Sequence, residues 1–416
     1  MTVWDEIRDL IDAGDDDKLV DRLIALDPGE RKAVAAELRD HIPVLRDHAE
    51  ARQSSWEDDD WVELPTQPWE RWRELMRLAG AGTLGPVTAV VSWLNRRDLM
   101  SVSRYAPRFD FGDPAPIIRL IDHRPAAWQA DLAVRLAAKL RGPRDPGTPL
   151  ALALLRHTGV EPPQHDPLVV AWVTSGTVKR ADPLWPALLP RLFEAEGVGR
   201  VLQHERVTHH TGWLRKLDKW GDRQVLLDGC VRRFLRGGTA QDLRFFVRLH
   251  EILEPSDAEV APYLRDYLSL LPASPGPVAQ LALHHLRRSS DPFSDALPDA
   301  LPDALPDALP DALPDALPEA LSGLLFRAEV TLVRAGLTWL DQLVRESPGC
   351  ADDLAPALAT AFAHESYDIQ GRAAQLALKH RKHFTAVGSA HITDALPALP
   401  PALAARLSPV GGQGRA

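Results

Sequence analysis

The sequence is poor in several residue types and patterns, and each shortage excludes a class of protein. Its 416 residues include two cysteines, Cys230 and Cys350, which lie far apart, so neither a disulfide framework nor a cysteine zinc site is expected. Alternating runs of Val, Ile and Thr, the pattern of β-strands, are nearly absent. The longest apolar run, near residues 87–94, is much shorter than the roughly 20 residues that cross a membrane. These shortages predict an all-α protein without membrane spans.

Other shortages concern location and chemistry. Residues 1–17 carry acidic side chains where a signal peptide needs a basic region and an apolar core, so a cytoplasmic location is expected. The sequence has no phosphate-binding P-loop, nucleophile elbow, kinase motif set or EF-hand loop. We therefore expect no metal and no cofactor, and a non-enzymatic function is favoured. A catalytic group assembled from distant residues stays an open alternative, and the oligomeric state is undetermined.

Charge is unevenly distributed along the chain, whose net charge is −10. Residues 1–60 hold 8 Lys and Arg against 18 Asp and Glu. Residues 200–250 hold 11 basic against 5 acidic side chains, and residues 291–320 hold eight acidic side chains and no basic one. Such asymmetry suits the binding of a charged partner, although most charged stretches are only solvated helix faces.

Helical periodicity is clearest in residues 221–272, which predict three helices. The first has apolar side chains at i, i+3, i+4, i+7 and i+8, namely Leu227, Cys230, Val231, Phe234 and Leu235. Gly237 and Gly238 end it, and a second helix from about Thr239 to Leu253 is apolar on more than one side, which indicates an interior position. Ser256 and Glu259 form a capping box that starts the third helix. Three residues are predicted to join these helices in one core: Phe234, Phe246 and Leu264.

The same helix–break–helix pattern continues through most of the chain. Helices of about 12 to 18 residues separated by short Pro and Gly turns are typical of HEAT-like helix-pair arrays. No regular period of 30 to 50 residues is evident. The predicted fold is therefore all-α: an irregular HEAT-like helical-repeat array, either an α-solenoid or a large helical bundle, with a Pro-rich tetrapeptide-repeat insert. The predicted segments are acidic N-terminal helices (1–53), an acidic linker (54–68), a main helical-repeat region (69–290), a DALP-repeat spacer (291–320), a C-terminal helical region (321–408) and a disordered tail (409–416).

The insert consists of six copies of DALP at residues 295–318. A proline at every fourth position argues against helix, because each interior proline costs about 3 kcal/mol. Neither a strand nor polyproline II geometry produces an apolar stripe from this repeat. We expect an acidic, semi-stiff spacer without regular helix; the alternative is a neutral expansion of a surface loop.

Two motifs resemble known sites but lack the right context. Gly80, Gly82 and Gly85 match the glycine spacing of dinucleotide-binding loops, yet the preceding segment is helical, so these glycines are expected to end one helix and start the next. The segment 204–210, HERVTHH, offers His and Glu side chains, but its spacing is not that of a zinc protease. An exposed turn is the favoured interpretation.

The basic stretch contains the candidate binding residues. Two arginine pairs spaced i, i+4 flank the Gly237–Gly238 turn, and an antiparallel hairpin would bring them near one another. Arginine clusters bind phosphate or carboxylate groups in bidentate fashion. The predicted site is Arg232, Arg236, Arg244 and Arg248. Internal pairing, for example with the acidic insert or with Asp228 and Asp242, is an alternative that is at least equally favoured.

Several strings resemble a family of actinobacterial proteins, a domain of unknown function with helical, HEAT-like character. They are PPQHDPLVVAWV, DPLWPALLPRLFEAEGVGRVL, LLDGCVRRFLRGGTAQDLRFFVRLHEIL, LVRAGLTWLD and ALATAFAHESYDIQGRAAQLALKH. The resemblance covers most of residues 1–385 and implies a helical fold but no particular chemistry. It also implies that this chain matches the N-terminal half of longer members, from which the DALP repeats are a departure.

Two functions follow as hypotheses. The first is a protein-interaction scaffold whose helical surface holds another protein. The second is a nucleic-acid-binding helical array, possibly a base-processing enzyme of the HEAT-like kind, that uses the basic stretch on phosphates. The acidic net charge favours the first.

Overall fold

A computed structural model describes residues 2–54, 71–100, 113–206, 208, 212–289 and 309–407. Regular secondary structure in these ranges is entirely α-helix and short 3₁₀-helix, which confirms the all-α prediction. None of the helices in these ranges has the length and apolar character needed to traverse a bilayer. The chain divides into two compact units, Met1–Val201 and Leu202–Ala416. The predicted linker at 54–68 lies outside the described residues except for residue 54, and the predicted tail at 409–416 lies wholly outside them. The other segment boundaries stay predictions, except for the boundary at residues 320–321, which is discussed below.

The first unit is arranged around its fourth helix. Its helices are α1 (Val3–Ala13), α2 (Asp16–Ala25), α3 (Pro28–Ser54), α4 (Trp72–Thr83), α5 (Val87–Leu94), α6 (Ala115–Ile121), α7 (Ala126–Ala137), α8 (Thr148–Thr158), α9 (Asp166–Thr174), α10 (Trp185–Glu194) and α11 (Val198–Val201). Helix α4 packs against α1, α2, α3, α5 and α6. The chain then continues as α5 on α7, α7 on α8, α8 on α9, and α9 on α10 and α11. The acidic N-terminal helices therefore belong to the same unit as α4.

The glycines of the GAGTLG motif serve packing in this unit. Gly80 and Gly82 lie inside α4, so the expectation that they end a helix is wrong for both. The indole of Trp93 covers Gly80 so closely that a Cβ atom there would overlap it, and its Nε1 donates a 2.8 Å hydrogen bond to the carbonyl of Met76. Gly85 follows α4 in a loop with free space around it. Gly80 therefore lets Trp93 of α5 pack closely against α4.

The second unit is a stack of helix pairs in two layers. Its helices are α12 (Trp213–Trp220), α13 (Arg223–Arg236), α14 (Ala240–Leu253), α15 (Asp257–Val260), α16 (Leu264–Leu270), α17 (Gly276–Ser289), α18 (Leu309–Leu325), α19 (Val330–Glu346), α20 (Ala351–Thr360), α21 (Tyr367–His380), α22 (Ala386–Ala395) and α23 (Pro401–Leu407). We call α13, α16, α18, α20 and α22 the first layer; each packs against the next along the chain. Helices α14, α17, α19, α21 and α23 form the second layer and also pack in succession.

The spacing of the pairs explains why the sequence shows no regular period. Second-layer helices begin at residues 240, 276, 330, 367 and 401. The intervals are 34 to 37 residues except for the 54 residues between α17 and α19, which contain the DALP repeats. One insertion between two helix pairs therefore hides a repeat length that is typical of helix-pair arrays.

The segment at residues 221–272 forms the predicted helices with local differences. The capping box that starts α15 is confirmed, since Ser256 Oγ accepts from the Glu259 N–H at 3.4 Å and the Glu259 carboxylate accepts from the Ser256 N–H at 2.8 Å. A 3₁₀ turn at Ala261–Tyr263, which contains a proline, then separates α15 from α16. Phe234 and Phe246 are buried as predicted. Two assignments are wrong: Leu264 is only half-buried, and Leu235 is 44% exposed.

Helix α18 corrects the prediction that the DALP repeats form no regular helix. It begins at Leu309, so the prediction is wrong for residues 309–318, and residues 295–308 lie outside the described part. Leu321, Leu324 and Leu325 are fully buried, and α18 packs against α16, α19 and α20, so tertiary packing outweighs the cost of the prolines. The proposed boundary at residues 320–321 accordingly falls within one helix.

Candidate functional site

The four arginines predicted as a binding site have different environments. They are Arg232, Arg236, Arg244 and Arg248. Arg248 is half-buried, and its Nη1 donates to the carbonyl oxygens of Gln203 at 3.1 Å and Glu205 at 2.5 Å, so it holds the turn ahead of α12. The other three are exposed, and Arg232 lies close enough to Tyr263 to influence its hydroxyl. Arg232 and Arg248 therefore have different neighbours, and a binding role for the four arginines stays a prediction.

Two surface depressions of the second unit lie on its second layer, one on each side of α17. The α14–α17 hollow has a volume of about 670 Å³ and is lined by Val247, His250, Glu251, Glu254, Pro255, Ser256, Pro277, Gln280, Leu281, His284, His285 and Arg288. The α17–α19 hollow has a volume of about 430 Å³ and is lined by Gln280, Leu283, His284, Arg287, Arg288, Thr331, Leu332, Ala335 and Gln342. Three side chains of α17, Gln280, His284 and Arg288, border both. The two hollows are therefore one surface with α17 as its central ridge.

Two histidines that line the α14–α17 hollow, His250 and His285, contact the buried side chain of Tyr267. His250 Nε2 and the hydroxyl of Tyr267 share a hydrogen bond of 2.7 Å. The imidazole of His285 stacks on Tyr267 with a centroid distance of 5.6 Å, and it meets His250 edge-on at 4.9 Å. All three are almost completely buried. The Nδ1 atoms of both histidines are shielded from solvent and have no hydrogen-bond partner within the described residues.

Burial keeps these histidines uncharged. It lowers the pKa of His250 to about 3, with a further contribution from His285, and it lowers the pKa of His285 to about 4. Burial also raises the pKa of the Tyr267 hydroxyl. The floor of the α14–α17 hollow is therefore polar but neutral at physiological pH, and its rim carries the exposed carboxylates of Glu251 and Glu254.

The adjacent arginines at the end of α17 differ in how they are satisfied. Arg288 Nε donates to Asp257 Oδ1 at 2.7 Å, and its Nη2 donates to the carbonyl of Pro255 at 2.6 Å, which ties α17 to the loop after α14. Arg287 is half-buried in the α17–α19 hollow, and its shielded Nε has no hydrogen-bond partner in the described ranges. The residues that line this hollow include no acidic side chain. Arg287 is therefore a cation without a nearby counter-charge among them.

The next groove of the second layer is closed by ion pairs. Between α19 and α21, Asp341 accepts from Lys379 Nζ at 2.7 and 2.9 Å and lies 2.7 Å from His380 Nε2. Although burial opposes ionisation, the Lys379 and His380 hydrogen bonds hold the pKa of Asp341 below its usual value. Arg334 Nη2 donates to Asp368 at 2.9 Å near the start of the same pair. Among the described contacts, no ion pair bridges α17 and α19 across the α17–α19 hollow.

The first unit contains a smaller cavity, of about 70 Å³. Side chains of both signs line it, and Arg71 Nη2 already pairs with Asp16 at 3.0 Å. Arg77 lies there with a shielded Nε, and burial lowers its pKa. This volume accommodates one or two water molecules rather than an organic ligand.

The HERVTHH segment is partly described. The carboxylate of Glu205 accepts the backbone N–H of Trp213 at 3.0 Å, so this side chain caps the start of α12. His209 and His210 lie outside the described residues. Within the described ranges, no group of three or more His, Cys, Asp or Glu side chains is arranged to hold a metal ion.

Sequence reasoning did not single out the side chains that shape the hollows. His250, His285 and Arg287 occur in segments of helical apolar periodicity, and Tyr267 lies on the apolar stripe of the third helix predicted at residues 221–272. The available signal is the presence of histidine inside such a stripe, in LHEIL and LALHHLRR, because a buried imidazole needs partners. Which stripes face each other is not encoded locally.

Comparison with known proteins adds no relative: the chain matches no protein-family model, no curated protein and no solved structure. The resemblance to the actinobacterial family stays a prediction.

Proposed function

We propose that this chain is a protein-interaction scaffold that holds an extended segment of a partner protein across the second layer of its second unit. The observation that carries this proposal is the pair of hollows beside α17, which lie on one face and share Gln280, His284 and Arg288. Stacked helix pairs use such continuous faces to bind extended ligands. The proposal includes the HEAT-like repeat type, the cytoplasmic location and the family resemblance.

The chemistry of the surface fits a polypeptide. The amide side chains of Gln280 and Gln342 offer both donors and acceptors, which match the N–H and C=O groups of an extended backbone. The apolar side chains of Leu281, Leu283 and Leu332 line the depths of the hollows, where partner side chains can be desolvated. Glu251 and Glu254 border only the α14–α17 hollow and Arg287 only the α17–α19 hollow, a pattern that favours a partner of defined charge sequence.

Nucleic-acid binding is the second candidate, because residues 200–250 carry a net excess of basic side chains. The carboxylates of Glu251 and Glu254 border the larger hollow and would repel a phosphate backbone there. The two functions differ in salt dependence, since phosphate binding releases counterions from the nucleic acid and therefore weakens steeply as salt is added.

The test compares partner capture by three versions of the full chain. Gln280→Trp places an indole on the shared ridge and obstructs both hollows. Arg265→Trp is the matched control, because Arg265 is exposed on the neighbouring first-layer helix α16. We expect Gln280→Trp to lose a partner that the wild type and Arg265→Trp retain. Retention of every partner by Gln280→Trp, with its melting temperature unchanged, would contradict the proposal.

A further inference from the structure

The α17–α19 hollow contains the guanidinium of Arg287, and the described residues that line it include no acidic side chain. Arg287 is half-buried there, and its Nε is shielded from solvent without a hydrogen-bond partner in the described residues. Three other polar side chains that line the hollow, Gln280, Thr331 and Gln342, are uncharged donors or acceptors. His284 and Arg288 also line it. We infer that this hollow is a carboxylate-binding subsite in which Arg287 pairs with an Asp or Glu side chain of a partner protein. The inference rests on the proposed function of the surface.

Neighbouring arginines show what Arg287 lacks. Arg327, at the start of the same helix pair, donates from Nε and Nη2 to the carboxylate of Glu329 at 3.2 and 2.6 Å. Arg288 pairs with Asp257, as described above. A planar guanidinium with five donors matches the two oxygens of a carboxylate, and a shielded donor without an acceptor is unfavourable. A carboxylate from outside would supply the counter-charge that the described lining of the hollow does not contain.

The size of the hollow separates Arg287 from the other comparable side chain. Arg77 in the first unit also has a shielded Nε, but its cavity is about 70 Å³ and already contains Asp16 and Glu74. The hollow beside Arg287 is about 430 Å³, enough for an acidic side chain together with adjoining backbone. Its open side is continuous with the α14–α17 hollow through the α17 ridge, so a bound segment can continue past the carboxylate.

A carboxylate is favoured over a phosphate of a nucleic acid. Arg287 is one cation, Arg288 is committed to Asp257, and Glu251 and Glu254 border the adjacent hollow. A nucleic-acid strand carries a phosphate at every nucleotide, so its neighbouring phosphates would meet those carboxylates. An acidic side chain on a peptide brings a single charge to the guanidinium of Arg287, which has no ion pair among the described residues.

The experiment is a selection from a phage-displayed library of random peptides against the full chain. We expect the selected peptides to be enriched in Asp or Glu at one position. Synthetic copies should lose affinity when that residue becomes Gln, and Arg287→Gln should weaken binding of the acidic peptide about tenfold or more. Arg287→Lys, which keeps the charge but not the bidentate geometry, should fall between the two. Arg265→Gln, an exposed arginine of the first layer, should have no effect.

Three results would overturn the inference. The selected peptides could show no enrichment in Asp or Glu, or the wild type and Arg287→Gln could bind the acidic peptide equally well. The third is that no acidic peptide is selected and an oligonucleotide binds instead, with an affinity that falls in Arg287→Gln. If Arg287→Gln does not fold, as judged by its circular dichroism, Ala335→Trp provides the second test, because Ala335 lines the same hollow and a large side chain there should exclude the peptide.

The chain's own acidic repeats are tested as a competing carboxylate source. In a variant with Asn at Asp295, Asp299, Asp303 and Asp307, acidic peptides should bind as they do to the wild type. Peptides bound only by this variant would assign the site to the repeats and overturn the partner assignment. Loss of the captured partner in Gln280→Trp without any acidic preference would leave the proposed function standing and remove only the carboxylate subsite. If acidic peptides bind in a way that depends on Arg287 but Gln280→Trp loses no partner, the carboxylate subsite would stand and the proposed function would be removed.

Discussion

The Nε2 atom of His250 lies 2.7 Å from the hydroxyl of Tyr267, inside a part of the second unit that excludes solvent. The bond connects α14 with α16, and His285 of α17 stacks on the same tyrosine. Two helix pairs are therefore joined beneath the α14–α17 hollow by neutral imidazoles. This arrangement makes the stability of the unit depend on pH.

We expect stability to fall as the pH decreases below about 6.5, the ordinary pKa of histidine. The unfolded chain then takes up protons on His250 and His285, whereas the folded chain does so only near pH 3 and 4, so the unfolded state binds more protons in between. Each histidine should contribute a slope of up to about 1.4 kcal/mol per pH unit. This slope is obtained by measuring the unfolding free energy between about pH 7.5 and 5. That pH range lies above the one in which most carboxylates titrate.

His285→Phe should reduce that slope by about half, because it removes one titrating group and keeps a ring on Tyr267. His284→Gln is the matched control: His284 is the exposed neighbour of His285, so its replacement should leave the slope nearly unchanged. A slope equal to that of the wild type in His285→Phe would show that this imidazole is not held neutral by the fold.

Phe246→Ala should destabilise the second unit by about 3–5 kcal/mol, the usual cost of deleting a buried aromatic side chain. The ring is fully buried, packs edge-on against Phe245 at 5.3 Å, and lies under the guanidinium of Arg233. Leu235→Ala, at an exposed position of α13, should change the unfolding free energy by less than about 0.5 kcal/mol. Chemical denaturation followed by circular dichroism measures both, and similar effects of the two would show that the helix faces are assigned wrongly.

Gly80→Ala should destabilise the first unit by about 1–3 kcal/mol, because the added methyl group displaces Trp93 from α4. The hydrogen bond from Trp93 Nε1 to Met76 would be lengthened or lost. Gly85→Ala is the control from the same motif, since no atom lies within 4 Å of a Cβ atom there. A lower melting temperature is expected only for Gly80→Ala, and equal melting temperatures would contradict the packing role.

Arg248→Gln should destabilise the second unit by about 1–3 kcal/mol, since charged hydrogen bonds to two carbonyl groups are lost. Arg244→Gln, an exposed change one turn earlier on α14, should have almost no effect on stability. Substituting all four predicted arginines together would therefore mix a folding defect with any binding defect. A test of binding should therefore substitute Arg232, Arg236 and Arg244 and leave Arg248 unchanged. Equal melting temperatures of Arg248→Gln and the wild type would show that Arg248 does not stabilise the unit.

The fold class was predictable because local signals agree with it: Gly237 and Gly238 break the chain between α13 and α14, and Ser256 with Glu259 starts α15. The repeat length was not, since the DALP insertion interrupts the 34-to-37-residue spacing of the second layer. The helical conformation of residues 309–318 at the start of α18 was also not predicted, because the burial of Leu321 and Leu324 in this helix depends on helices that are distant in sequence.

The candidate site was predictable only in part. Arginine spacing drew attention to α13 and α14, but the pattern does not tell that Arg248 faces backbone carbonyls or that Arg287 lacks an acid. These differences arise from the stacking of helix pairs that are far apart in the chain. The contacts of His250 and His285 with Tyr267 also join different helices, and the apolar pattern of a single helix does not indicate them.

The most direct test of the central claim, that the second layer is the binding face, is site-specific photo-cross-linking. A benzophenone amino acid is placed at Gln280, between the two hollows, or at Arg265, on the first layer, and each full-length protein is irradiated in an extract of its native host. The cross-linked product is then identified by mass spectrometry. We predict a discrete product from position 280, absent from position 265 and suppressed by Ala335→Trp. The same products from both positions, or a product at 265 alone, would contradict the account.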